Sequence, residues 1–139
     1  MIIRILFAGF ASSAFAILFK TKFKFLPLCS INGALCWFIY EIFSNNISFE
    51  SGIIFASMSV GFVSYVFSKI IKINKKMFVT SGIIPLVPGA TAFFALQSFL
   101  EGLHNQAFTF MYQTFFSSFG IVIGLTISVN LTKYIDSGK

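Results

Sequence analysis

Residues 77–100 read MFVTSGIIPLVPGATAFFALQSFL. The stretch is apolar and long enough to cross a bilayer, for which about 20 residues suffice. It does not read as one regular helix. Pro85 and Pro88 each remove a backbone donor and crowd the preceding turn, so Pro85 should leave the Ser81 carbonyl, and Pro88 the Ile84 carbonyl, without a helical donor. Gly89 adds backbone freedom behind the second proline. The expectation is a helix broken at Pro-x-x-Pro-Gly, with a second half-helix starting near Gly89.

Four more apolar runs surround this segment. They cover approximately residues 2–19, 25–43, 52–67 and 107–129, which makes the whole chain, 1–139, a single all-α integral membrane domain of about five transmembrane helices, the fourth of them broken. Composition agrees. The chain has 139 residues, 57% hydrophobic and only 10% charged, with a mean hydropathy of +0.90. Soluble domains carry roughly 25% charged residues, and a water-soluble chain of this size could not hide so much apolar surface. A soluble domain, a disordered chain and a disulfide-stapled secreted module are all excluded.

Charge placement points to topology rather than to nucleic acid. The formal net charge is +6 and the pI about 9.6, but seven of the ten Lys/Arg residues fall in two loops, Lys20–Lys24 and Lys69–Lys76. No basic stripe with stacking aromatics is present. The alternate loops hold Glu41 and Glu50, then Glu101 and His104. Lysine-rich loops stay in the cytoplasm, so the expected topology is an external N-terminus and a cytoplasmic C-terminus. Arg4 is the exception and can snorkel to the interface. Were residues 77–100 a re-entrant hairpin, the tail would fall outside. The first run resembles a signal peptide, with Ala14-Phe15-Ala16 in a cleavage-like position. The lysines just beyond it favour an uncleaved span.

Chemistry is sparse. Four carboxylates and one histidine lie in loops or at span ends, and no hydrolase or metalloprotease motif occurs. Cys29 and Cys36 stand two helical turns apart, about 10.5 Å of rise, too far to bridge. They read as small buried thiols, and no metal site or cofactor is expected. The chain reads as a non-enzyme. The absence of a charge at mid-membrane also argues against a small multidrug exporter, which needs a mid-span glutamate.

The break is the informative feature. Irregular backbone is tolerated in lipid only inside protein or beside a water-filled cavity, and discontinuous helices build the substrate sites of many secondary transporters. The candidate substrate pathway is therefore Thr80, Ser81, Pro85, Pro88, Gly89, Thr91 and Gln97, with the free N–H groups after Gly89 suited to a carboxylate. Ser57, Gly61 and Ser64 form one small-residue face, and Gly120 and Gly124 a GxxxG. Both are expected to pack helices. Asn32, Gln113, Thr114 and Asn130 are candidates for hydrogen bonds between helices. Trp37, Tyr40, Tyr65 and Tyr134 read as interfacial anchors.

The segment Phe78–Phe93, with its Ile84-Pro85-x-x-Pro88-Gly89 core, resembles the proline motif of the threonine/serine exporter family. So do the Phe55–Gly61 run before a basic loop and the Leu28–Phe38 stretch with Cys29, Gly33 and Trp37. The likeness covers nearly the whole chain and is specifically to the small split subunit that corresponds to the C-terminal half of the fused exporter. It implies a bacterial inner-membrane secondary transporter exporting threonine and serine or small carboxylates, with a larger transmembrane subunit as partner. Few polar residues in the first span and a short tail depart from that pattern. An odd number of spans beginning outside also suits the second half of a paired transporter. Two other classes stay open on the residues alone, a homo-oligomeric transporter and a non-transporting membrane assembly protein.

Overall fold

The computed structural model of the chain describes residues 2–137. It contains α1 (Ile2–Leu18), α2 (Leu26–Asn46), α3 (Phe49–Ile71), α4 (Lys75–Gly82), α5 (Gly89–Leu100) and α6 (His104–Ser137), with 3-10 turns at Phe23–Phe25 and Ile84–Leu86. Four segments are long and apolar enough to cross a membrane: Phe23–Asn46, Phe49–Ile71, Lys75–Leu100 and His104–Ser137. α1 is a shorter apolar helix of 17 residues, about 25 Å long at 1.5 Å per residue. The protein is an all-α multi-pass membrane protein.

The helices outrun the apolar stretches that suggested them. The expected loop over residues 44–51 shrinks to Ile47 and Ser48, because Ser48 caps α3 in a box with Ser51 that satisfies otherwise orphaned N–H groups. The tail expected from residue 130 is instead helical through Ser137. Backbone hydrogen bonds do not require apolar side chains, and the last turns of α6 are held by Tyr65 and Lys69, which both reach Asp136. At 34 residues, α6 is about 51 Å long, well beyond a hydrocarbon core of about 30 Å. Lys72 ends α3 in the left-handed region at φ 56°, and Gly102 makes the turn into α6 at φ 77°.

α2 lies at the centre, against α1, α3, α4 and the Ile84–Leu86 turn. α1 and α2 are antiparallel, with Arg4 3.7 Å from Glu41. α2 and α3 form a hairpin in which Asn32 meets Ser64. α3 and α6 run parallel. Tyr112 of α6 reaches Glu50 at the start of α3, Ser57 reaches Gly120 in the middle, and Tyr65 reaches Asp136 at the far end. The intervening Lys75–Leu100 segment therefore carries the chain from one end of the bundle back to the other. A hairpin returning to its starting end would leave α6 antiparallel to α3.

Two apolar clusters hold these elements. One joins Ala16, Phe25, Cys29 and Phe78, with Phe67, Ile71 and Met77 around it. The other joins Cys36, Ala56, Val60 and Leu86. Both cysteines are free and buried, as their spacing implied.

Candidate functional site

The Lys75–Leu100 segment unwinds over Ile83–Pro88. α4 ends at Gly82, and Ile83 N–H still bonds to the Val79 carbonyl at 3.1 Å. Pro85 opens the 3-10 turn, where a missing N–H costs nothing. Val87 is extended (φ −61°, ψ 122°), as a residue before proline prefers. Pro88 (φ −78°, ψ 47°) lies near an inverse γ-turn, and Gly89 N–H closes it onto the Val87 carbonyl at 2.8 Å. The carbonyl expected to be orphaned by Pro88 is not: Ile84 O accepts from Val87 N–H at 3.2 Å, because the chain tightens into 3-10 geometry instead of leaving an α-helical gap.

α5 then begins afresh. Ala92 N–H bonds to the Pro88 carbonyl at 3.1 Å, so the Ala90 and Thr91 N–H groups stand ahead of the helical ladder. The Thr91 hydroxyl donates to the Pro88 carbonyl at 3.0 Å and lies 3.1 Å from the Thr114 hydroxyl of α6.

Beside the break is a cavity of about 140 Å³. Pro85, Pro88 and Thr91 line it, together with Trp37 and Tyr40 of α2, Phe49 and Ile53 of α3, and Ser117 of α6. Ser117 is only 4% exposed, and its hydroxyl donates to the Gln113 carbonyl. The Trp37 indole nitrogen is buried without a hydrogen-bond partner.

Of the seven residues expected along the pathway, the structure brings Pro85, Pro88 and Thr91 to this cavity. Gly89 is exposed beside it. Ser81 is buried on α4, its hydroxyl turned back to Met77 and Phe78 carbonyls. Thr80 is exposed and bonds to Lys76 O. Gln97 sits two turns away, bonded to Glu101 at 2.9 Å. The backbone freedom expected of Gly89 is not used. Its φ is not positive, and a Cβ there would meet nothing within 4 Å.

Trp37 and Tyr40, read from the sequence as interfacial anchors, also wall the cavity. Their i, i+3 spacing puts them on one face of α2, but nothing in the sequence says that the break faces that side. Glu41, expected in a loop, lies instead within α2. Its side chain is 11% exposed and pairs with Arg4.

The small residues divide between two interfaces. Ser57, Gly61, Gly120 and Gly124 form the α3–α6 seam. A Cβ on Gly61 would strike Ser128, and one on Gly124 would come within 2.5 Å of the Ile54 carbonyl. Ser64 instead belongs to the α2–α3 contact, where Asn32 donates to its hydroxyl at 3.0 Å and to the Phe78 carbonyl at 2.9 Å. Asn32 and Thr114 thus bridge helices as expected. No such bond involves Gln113 or Asn130 side chains among the described residues. Nor is there a cluster of metal-ligating side chains among them.

A polytopic helical bundle with one crossing unwound beside a small cavity has the architecture of a membrane transporter. The family described as Threonine/Serine exporter, ThrE, matches this chain over residues 4–131, and the chain belongs to it. No solved structure matches the chain.

Proposed function

We propose that the chain is one subunit of a bacterial inner-membrane secondary transporter that exports small amino acids, threonine and serine, or small carboxylates, and that a larger transmembrane subunit completes the pathway. The observation that carries this reading is the unwound Ile83–Pro88 segment beside a cavity walled by four helices. The free N–H groups of Ala90 and Thr91 suit a carboxylate, and the Thr91 and Ser117 hydroxyls suit the polar remainder of a small amino acid. Thr80, Ser81 and Gln97 lie away from this cavity, so the pathway proposal narrows to Pro85, Pro88, Gly89 and Thr91, with Trp37, Tyr40 and Ser117 added. The parallel α3–α6 pair supports five crossings, and the lysine-rich loops support an N-terminus outside and a C-terminus in the cytoplasm.

The test is efflux of labelled threonine, serine and dicarboxylates from an exporter-deficient strain, with and without the larger subunit, normalised to assembled protein. Ser117→Leu fills the cavity and should lower efflux at least about tenfold, equivalent to about 1.4 kcal/mol, while membrane insertion persists. Thr91→Val should lower it through loss of one hydroxyl. If both variants assemble and transport at the wild-type rate, the cavity is not the pathway. Full efflux without the larger subunit would overturn the dependence on a partner.

A further inference from the structure

The fold gathers its lysines at one end of the bundle. The Phe25–Phe78 contact, with ring centroids 6.5 Å apart, ties the Lys20–Lys24 loop to the start of α4. Phe67 packs on the same Phe78 ring at 5.8 Å and brings in the end of α3, while Lys69 and Asp136 bring in the end of α6. Among the described residues, eight lysines thus share this end with a single side-chain carboxylate, Asp136. Among the described residues, only Lys69 of the eight is ion-paired. Lys20 adopts φ 56° at the end of α1, its N–H on the Ile17 carbonyl at 2.9 Å. Lys24 sits over the Phe25 ring at 5.0 Å.

A groove of about 340 Å³ between α1 and α2 opens at the same loop, lined by Phe10, Ala14, Ile17, Phe23, Pro27 and Ser30. Ile17 and Phe23, which line it, flank Lys20 and Lys22 in the chain. Phe23 is 79% exposed. An apolar channel along two membrane helices, ending under unpaired ammonium groups, matches a molecule with an acyl chain at one end and a phosphodiester at the other.

We infer that this place is a binding site for an anionic phospholipid, one acyl chain in the α1–α2 groove and the headgroup phosphate against Lys20 and Lys22. Basic pockets between membrane helices hold anionic headgroups through charge and ammonium N–H donors. A zwitterionic lipid offers the same chains without the net charge. The site lies on the opposite end of α2 from Glu41 and does not depend on the transport pathway.

The experiment uses the full chain, with any subunit that co-purifies, in detergent. Native mass spectrometry counts bound phosphatidylglycerol and phosphatidylcholine of matched chain length. Wild-type protein should favour phosphatidylglycerol at least about fivefold, the factor that one lysine–headgroup contact supplies. Lys20→Gln with Lys22→Gln should abolish that preference. Ala14→Phe, which obstructs the groove and leaves every charge in place, should weaken phosphatidylglycerol binding without a change in orientation. Free glycerol phosphate should not compete. Equal binding of the two lipids by the wild type, an unchanged preference in the lysine double variant, undiminished phosphatidylglycerol binding by Ala14→Phe, or full competition by glycerol phosphate would each overturn the proposal.

Discussion

Asn32 ties three helices together through one side chain. It is 1% exposed, and its amide donates from α2 to Ser64 of α3 and to the Phe78 carbonyl of α4. Asn32→Leu leaves both acceptors without that donor, and a branched side chain must fit where Gly82 passes so closely that a Cβ would strike the amide. Hydrogen bonds between membrane helices are worth about 0.6 to 2 kcal/mol each. The variant should lose about 1–3 kcal/mol in an unfolding titration in mixed micelles; an unchanged midpoint would show that the amide carries no load. At this scale the sequence is partly legible. Asn32 stands out because a polar residue in an apolar run needs a partner, whereas the helix that Ser64 packs against could not be read, since a small-residue face does not reveal which neighbour it meets.

The α3–α6 pair is an element built on close approach. Gly124 faces backbone, the Ile54 carbonyl and the Met58 nitrogen, so an added methyl cannot be absorbed by rotating a side chain. Gly124→Ala should cost about 1–3 kcal/mol, as overpacking typically does. Gly89→Ala should stay within about 0.5 kcal/mol of wild type, because nothing lies near its Cβ position. Thermal melts of the two purified variants give the contrast, and equal losses would sink this account of the seam. The break itself was legible from Pro85 and Pro88, since a lost donor is a covalent fact. What the sequence could not supply was the partner of each half. Leu86 packs against Cys36, Ala56 and Val60, and the cavity draws walls from α2, α3 and α6, residues up to 80 positions apart in the chain. Hydrophobic periodicity carries no information about such pairings when lipid and protein interior are equally apolar.

For the molecule as a whole, the parallel course of α3 and α6 predicts that reporters fused after Asn105 and at Lys139 lie on opposite sides of the membrane. Fusions after Ile47 and Asn105 should report the same side. Any other pattern removes the five-crossing arrangement. An odd number of crossings also has an electrical meaning. Each helix behaves as roughly half a positive charge at its N-terminus and half a negative charge at its C-terminus. At the lysine end, the C-termini of α1, α3 and α6 meet the N-termini of only α2 and α4, which leaves about half a negative charge uncancelled. At the end holding Glu41, Glu50 and Glu101, the balance is about half a positive charge. The side-chain charges are thus opposite in sign to the residual macrodipole at both ends and larger than it, so each end of the folded chain carries a charge that its own backbone field favours. A bundle with an even count of such crossings would have no residual field to neutralise.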